Sequence, residues 1–108
     1  MIRPEVFVRH DAELDAFGYF QLINENNPDA ARRFLAAIDR TVERLGEHPF
    51  IGRPRRFRGK NLQSIRSWRV DDFENYLIFY RVTEERLEVL RLKHGAMNFP
   101  QALREPPE

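Results

Sequence analysis

The sequence contains no cysteine among its 108 residues. Disulfide bonds, zinc sites built on thiolates and thiol nucleophiles are therefore excluded. Long apolar runs are also missing, since none approaches the roughly 20 residues that a membrane-spanning helix needs. The N-terminal residues lack the charged-then-apolar layout of a secretion signal. We expect a soluble, cytoplasmic protein.

Histidines are scarce as well. The three that are present, His10, His48 and His94, follow no spacing typical of metal ligands, so the sequence predicts neither a metal site nor another cofactor. The length fits a single domain over residues 1–108, with enough chain to bury about two-thirds of the surface that it exposes when unfolded.

The net charge is only +1, but the charges are unevenly distributed. Near-neutrality argues against a protein that coats nucleic acid, and we expect no sequence-specific binding of nucleic acid. Between Arg53 and Arg69, however, the chain carries seven basic residues and no Asp or Glu. A local excess of this kind attracts anions or an acidic partner.

Residues 64–99 contain three successive β-rich runs, over residues 64–70, 76–82 and 87–94. Branched and aromatic residues without Gly or Pro make the middle run typical of a central, buried strand. The short polar links between the runs predict an antiparallel meander. Arginines interrupt all three runs, so one sheet face is expected to meet water or a partner: Arg66, Arg69, Arg81 and Arg91.

The first half of the chain predicts one strand and two helices. Residues 5–10 form a short run typical of an edge strand. Asp11 is suited to cap a helix over residues 12–26, and Asn27-Pro28-Asp29 predicts the start of a second helix that ends at a Gly46 cap. Apolar residues recur at helical spacing in both helices: Ala16, Phe17, Phe20 and Ile23, then Ala31, Phe34, Leu35, Ile38, Val42 and Leu45.

Two proline-rich segments complete the chain. Residues 48–54 predict a rigid loop, and the tail from about residue 100, with three prolines, is expected to be mobile or to dock only with a partner. The order is then strand, helix, helix, strand, strand, strand. This order predicts an α+β fold in which a helical hairpin packs on a mainly antiparallel sheet.

A metal-free ribonuclease is one activity that a small basic domain could have. RNA cleavage through the 2′-hydroxyl needs a base, an acid and cations that stabilise the transition state. Candidates for these parts are Arg69, Tyr76 or Tyr80, Arg81 and His94, which form no recognisable short motif. The arginines are equally suited to contact a partner or to pair across strands with glutamates such as Glu88.

Two further functions, nucleic-acid binding without catalysis and catalysis by a carboxylate pair, have less support. Phe57 and Trp68 could stack bases beside the basic loop, but a tryptophan within a strand is more typical of a core or interface anchor. Asp71 and Asp72 are adjacent in a predicted turn, where neighbouring side chains diverge, so they do not indicate an acid–base pair. The residues alone predict a soluble α+β domain with an arginine-rich surface.

Several segments, in this order and spacing, resemble the ParE/RelE superfamily of bacterial type II toxin–antitoxin toxins. The resemblance covers residues 6 to about 103 and rests on NPD at 27–29, PFIGR at 49–53, RSWRV at 66–70, YRV at 80–82 and VLRLKHGAMN at 89–98. It implies one of two activities. RelE-like members cleave messenger RNA on the ribosome, whereas ParE-like members are associated with poisoning DNA gyrase, without known catalysis.

Two positions favour the ParE-like branch. Leu77 follows Tyr76, where an RNA-cleaving member would place an arginine, and Ala96 stands where many members carry a basic residue. The resemblance therefore implies a non-enzymatic toxin that binds DNA gyrase and is silenced, in a hetero-oligomer, by an acidic, largely helical antitoxin. A ribosome-dependent mRNA endonuclease and an inert antitoxin-binding module are the alternatives.

We expect the partner contacts to combine the basic loop with the sheet. An amphipathic segment that docks on an apolar surface edged with arginines would combine apolar burial with charge-assisted pairing. The residues predicted to make these contacts, with no catalytic role, are Arg53, Arg55, Arg56, Arg66, Trp68, Arg69 and Arg81.

Overall fold

A computed structural model describes residues 4–57 and 64–95. Within these ranges the elements are β1 (Glu5–Val8), α1 (His10–Asn26), α2 (Pro28–Glu47), β2 (Arg53–Pro54), β3 (Ile65–Val70), β4 (Phe73–Val82) and β5 (Arg86–His94). The predicted mobile tail and Ala96 lie outside the described residues. No helix in the described ranges is both long and apolar enough to cross a membrane.

The strands form one sheet in the order β1-β5-β4-β3-β2. β1 runs parallel to β5, and every other neighbouring pair is antiparallel. The predicted α+β class, the meander and the central position of its middle strand are confirmed. The loop predicted over residues 48–54 adds a strand that the sequence did not indicate. This strand, β2, is only two residues long, too short for any pattern of alternation to show.

The sequence predicted one N-terminal helix cap correctly and one wrongly. Asn27 caps α2, because its side-chain oxygen accepts a hydrogen bond from the Ala30 amide at 3.0 Å. The prediction of Asp11 as the cap of α1 is wrong. α1 begins two residues before its predicted start, at His10, after an Arg9 cap whose side chain makes no capping hydrogen bond. Asp11 lies in the first turn, where its charge interacts favourably with the helix dipole.

The prediction of Gly46 as a C-terminal cap is also wrong. α2 continues through Gly46 and ends at Glu47. Gly46 is buried against β1, where an added Cβ would lie 3.1 Å from Val6 Cγ2. The glycine therefore allows close packing of the helix on the edge strand.

The turn between β3 and β4 is tighter than the predicted link over residues 71–75. Only Asp71 and Asp72 separate the strands, and Asp72 adopts a positive φ of 65°, which Asp tolerates better than most residues. Thr41 of α2 positions this turn. Its buried hydroxyl accepts a hydrogen bond from the Asp71 amide at 2.9 Å and donates one to the Ala37 carbonyl at 2.7 Å.

The sheet has a buried cluster on each face. On the helix side, residues of α2 such as Phe34 and Leu45 pack on Ile78, Tyr80 and other residues of the sheet. On the opposite face Ile65, Phe79 and Leu90 form a smaller cluster, with Phe57 and Leu77 packed against it. Because side chains alternate along a strand, position in β3 and β4 decides which face a residue meets.

Candidate functional site

The seven predicted partner contacts do not share one surface. Four of them lie on the sheet face away from the helices, as strand register and contacts with Ser67 and Phe79 indicate: Arg53, Arg55, Arg69 and Arg81. We call these four residues the arginine face. Arg66 and Trp68 lie on the helix side, and Arg56 is exposed after β2.

The arginine face combines paired and exposed cations. Arg81 Nη2 lies 3.6 Å from Glu88 Oε1, and both side chains are largely buried. Arg55 lies over the rings of Phe57 and Phe79, at 5.7 and 5.8 Å from their centres. Arg69 has a more distant counter-ion, with its Nη1 4.0 Å from Glu74 Oε2 in an exposed pair. Since exposed pairs are worth little, Glu74 does little to fix the position of the Arg69 cation.

Arg66 binds the chain's own loop. Its Nη1 donates hydrogen bonds to the carbonyl oxygens of Gly52 at 2.8 Å and Phe50 at 3.2 Å, and its guanidinium lies 5.2 Å from the centre of the Phe50 ring. These contacts hold the loop over residues 48–54 against β3. Trp68 is half-buried and packs against the helix-side core.

Tyr80 also holds the loop over residues 48–54 in place. Its side chain is fully buried, and its hydroxyl accepts a hydrogen bond from the Gly52 amide at 2.8 Å. Burial raises the pKa of Tyr80, although the bond from Gly52 and the charge of Arg66 act in the opposite direction. This buried tyrosine supports the loop and presents no group to a ligand.

The residues that a nuclease would use are divided between the two faces of the sheet. Tyr76 and His94 are neighbours, with ring centres 5.1 Å apart, and Tyr76 packs against Phe34 of α2. Arg69 and Arg81 belong to the arginine face, on the other side. Burial also raises the pKa of Tyr76, which disfavours its ionised form at neutral pH.

We expect the stability of the protein to fall at alkaline pH because of these tyrosines. Burial raises the pKa of Tyr76 and Tyr80, so the folded state keeps its phenolic protons at a pH where the unfolded chain releases them. The resulting stability is fully present below about pH 10, the ordinary tyrosine pKa, and is lost as pH rises through the raised values. Urea unfolding across this range should show the decline. Tyr80→Phe should make the decline of stability with pH shallower. A decline as steep as that of the wild type would show that Tyr80 does not contribute to it.

Asp15 and Tyr19 of α1 complete the free edge of β5. β1 ends opposite Val89, and beyond that point Asp15 Oδ2 accepts a hydrogen bond from the Leu92 amide and the Tyr19 hydroxyl accepts one from the His94 amide, both at 3.0 Å. Four helical residues rise about 6 Å and two strand residues about 6.7 Å. The side chains of α1 therefore match the spacing of the edge amides and replace a neighbouring strand.

The Asp15 carboxylate also pairs with two cations of β5. Arg91 Nε and Nη2 lie 2.8 and 3.0 Å from its two oxygens, and Lys93 Nζ lies at 3.2 Å. The hydrogen bonding of Arg91 to Asp15 raises the pKa of Arg91, although burial acts in the opposite direction. The expectation that Arg91 meets water or a partner is wrong, because it joins α1 to β5. Sequence reasoning missed Asp15, although a lone acid on the apolar side of a helix was a signal.

An apolar groove of about 540 Å³ separates α1 from α2. Its floor is the sheet, at Ile78, Val89 and Leu92. Two of its wall residues, Phe17 of α1 and Leu35 of α2, are 57% and 40% exposed. Both belong to the apolar positions that the sequence predicted for the helices. They are exposed because the helices leave this space between them.

The acidic turn between β3 and β4 is occupied by ion pairs. Arg44 Nη1 lies 2.8 Å from Asp71 Oδ1, and Arg40 Nη2 lies 3.3 Å from Asp72 Oδ2. These pairs join α2 to the turn. Across residues 4–57 and 64–95, no group of three or more His, Asp or Glu residues is placed to hold a metal ion.

Two comparisons of sequence relate the chain to known proteins. The family model described as the ParE toxin of the type II toxin–antitoxin system parDE matches residues 6–99. Y4kP of Sinorhizobium fredii, a protein named as a candidate toxin, is 36% identical over 90 residues, which span 83% of this chain and 84% of that protein.

Solved structures share the fold. The chromosomal ParDE toxin–antitoxin system from P. aeruginosa aligns with a TM-score of 0.69 and 15% identity, over 85% of this chain and 96% of that chain. The RelBE2 toxin–antitoxin complex from Mycobacterium tuberculosis aligns with a TM-score of 0.57 and 21% identity, over 90% and 97%. At these identities the alignments establish the architecture.

Proposed function

The chain belongs to the ParE toxin family of type II toxin–antitoxin systems, and from this premise we propose that it binds DNA gyrase without catalysing a reaction of its own. In the silenced state, an acidic segment of a cognate antitoxin covers the arginine face. The solved relatives are a toxin–antitoxin system and a toxin–antitoxin complex, which supports a protein partner for this chain.

We propose the absence of catalysis because the candidate nuclease residues lie on opposite faces of the sheet. A general acid or base must lie within hydrogen-bond reach of the proton that it transfers, and stabilising cations must contact the same reacting group. Tyr76 and His94 lie on the helix side of the sheet, whereas Arg69 and Arg81 lie on the other. One phosphate cannot contact both sets. This arrangement favours binding over RNA cleavage.

The composition of the arginine face supports an acidic partner. Arg53 and Arg69 are exposed at its surface, beside the half-buried Leu77 and Phe57. A partner segment with carboxylates and apolar side chains would form charge-assisted hydrogen bonds and bury these apolar groups together. Gyrase and antitoxin would then compete for one surface, which explains how binding of the antitoxin silences the toxin.

Purified protein incubated with gyrase and supercoiled DNA tests this proposal. We expect trapped double-strand breaks with the wild type and at least about tenfold weaker inhibition with Arg53→Ala/Arg69→Ala, because the exposed cations of the arginine face are lost. The matched control is Arg32→Ala/Arg33→Ala, which removes two exposed arginines from α2 and should inhibit like the wild type.

A parallel incubation with translating ribosomes distinguishes the alternatives. Ribosome-dependent cuts in messenger RNA would overturn the proposal in favour of an endonuclease. Absence of both DNA breaks and messenger RNA cuts would overturn the proposal in favour of an inert antitoxin-binding module. Equal losses in the arginine-face variant and in the control would reject this face as the gyrase-binding surface.

A further inference from the structure

We propose that β1 pairs with β1 of a second copy of this chain, so that two five-stranded sheets join into one. β1 stands at the end of the sheet, and within residues 4–57 and 64–95 its only strand neighbour is β5. All four of its residues are exposed, and the exposed fractions of Val6, Phe7 and Val8 are 37%, 43% and 37%. This pairing does not depend on the target of the toxin.

β1 contains none of the residues that usually protect the edge of a sheet. Natural edge strands carry lysine, proline or a bulge, because an open strand edge pairs readily with another chain. β1 has no lysine and no proline, and its register with β5 is continuous. Three successive apolar residues, Val6, Phe7 and Val8, are exposed instead. An exposed apolar edge of this kind is typical of a site of strand pairing.

The hydrogen bonding of β1 indicates which of its backbone groups point away from β5. The Arg9 amide donates a hydrogen bond to the Val89 carbonyl at 2.9 Å. Backbone groups point alternately to the two sides of a strand, so those of Phe7 and Arg9 face β5 and those of Val6 and Val8 point outward. The outer edge therefore offers one amide and one carbonyl from each valine to another strand.

Only one antiparallel register uses all of these backbone groups. Residues whose backbone groups face each other exchange two hydrogen bonds in an antiparallel pair. With Val6 opposite Val8 of the copy, both valines of each chain are bonded. A register centred on Val6 would place Val8 opposite Pro4, which has no amide hydrogen. A register centred on Val8 would place Val6 opposite His10, which already belongs to α1.

The same register makes the side chains of the two copies complementary. Phe7 faces Phe7 of the copy as a non-hydrogen-bonded pair, in which side chains are closest and aromatic pairs are stabilising. Glu5 faces Arg9 of the copy, and the twofold symmetry repeats this pair at the other end. A parallel pairing in register would bring Glu5 towards Glu5 and Arg9 towards Arg9, and like charges across an interface repel. The charges therefore favour a second copy in the antiparallel orientation.

This symmetry keeps the two arginine faces on one side of the joined sheet. Phe7 is in register with Glu88, the counter-ion of Arg81, so it lies on the same side as the arginine face. Arg86 lies over the Phe7 ring, at 4.7 Å from its centre. A twofold axis through the Phe7 pair is perpendicular to the sheet and does not exchange its sides. The dimer therefore presents two arginine faces in the same direction.

The absence of cysteine allows this contact to be tested with a single thiol. Non-hydrogen-bonded residues have Cα atoms about 4.5 Å apart, and a disulfide needs about 4.4–6.8 Å. We expect Phe7→Cys in the full chain to form an intermolecular disulfide at least about tenfold faster than Phe50→Cys, because pairing holds its two thiols together. Phe50 is the matched control, since it is 66% exposed and lies in the loop held against β3. Equal rates would overturn the inference.

Exchange of the charges tests the register. Sedimentation equilibrium should show a dimer of the wild type that is weakened about tenfold or more by Glu5→Arg and by Arg9→Glu, because each sets like charges opposite each other. Glu25→Arg, at another exposed glutamate, should leave the dimer unchanged. A mixture of Glu5→Arg and Arg9→Glu should form a heterodimer about as stable as the wild-type dimer, since both of its pairs have opposite charges. Unfolded variants could not give this rescue.

The remaining outcomes count against the pairing. Two four-residue strands bury less surface than most stable interfaces, so we expect a dissociation constant in the micromolar range. A wild type that remains monomeric at about 1 mM, or a mixture of the charge variants without rescue, would overturn the inference. A Phe7→Cys thiol that forms no disulfide but is shielded from alkylation by the co-expressed antitoxin would also overturn it, because the edge would then belong to the antitoxin.

Discussion

Asp15→Asn is expected to lower the free energy of unfolding by about 3 kcal/mol or more, because it removes the carboxylate that contacts two largely buried cations. The Asp15 and Lys93 side chains are each 11% exposed, and Arg91 is 23% exposed. Asparagine keeps one oxygen that can accept the Leu92 amide bond, so its effect isolates the charge. Asp15→Ala removes that acceptor as well and should cost about 1–3 kcal/mol more. Urea unfolding measures both.

Glu74→Gln is the matched control for the charge. It neutralises a carboxylate whose arginine partner lies 4.0 Å away in an exposed pair, and we expect a change below about 0.5 kcal/mol. Hydrogen exchange gives a local readout, since the Leu92 amide should exchange faster in Asp15→Ala, which removes its acceptor, while the His94 amide keeps its hydrogen bond to Tyr19. An effect of Asp15→Asn as small as that of Glu74→Gln would show that water replaces the carboxylate.

Gly52→Ala is expected to destabilise the protein by about 1–3 kcal/mol, the usual effect of overpacking. A Cβ at this position would overlap the Tyr80 ring, at 2.6 Å from Cε1 and 2.8 Å from Cζ. Because the ring is fully buried, it has no room to move away from the added Cβ, so the loop would have to move. Movement would also break the hydrogen bond from the Gly52 amide to Tyr80 and the one from Arg66 to the Gly52 carbonyl.

Gly18→Ala is the same substitution, but we expect it to stabilise the protein. Gly18 lies inside α1, and an added Cβ there would meet nothing within 4 Å. We expect a gain of up to about 1 kcal/mol, because alanine restricts the unfolded chain and favours the helix. Tyr80→Phe, which removes only the hydroxyl, separates the lost hydrogen bond from the overlap. If Gly52→Ala were as favourable as Gly18→Ala, the loop would not be held by Tyr80.

Local signals account for the predictions that are confirmed. The Asn27 cap, the proline that follows it and the apolar spacing of α2 act within a few residues, so they can be read along the chain. The composition of β4 likewise indicates its central place in the sheet. The incorrect predictions for Gly46 and Arg91 concern positions where a distant element intervenes. Gly46 has the residue type of a cap, but it is packed against Val6 of β1.

The same distinction between local and distant contacts applies to the candidate site. The basic residues after α2 are visible in the sequence, which also suggested a partner-binding surface. Their division between two faces follows from strand register, which moves every side chain to the other face when it shifts by one residue. Arg66 and Arg91 look like free cations in the sequence, yet the structure uses them to hold a loop and to bind Asp15.

The sequence by itself determined the α+β class, the helical hairpin, the meander and the family, because these depend on local pattern and on the order of short motifs. Only the tertiary structure decided how α1 covers the edge of β5, which arginines are exposed and which bind other residues of the chain, and where the helices leave an apolar groove. Each of these features joins residues far apart in the chain. Their energies depend on distance and burial, which no pattern along the sequence records.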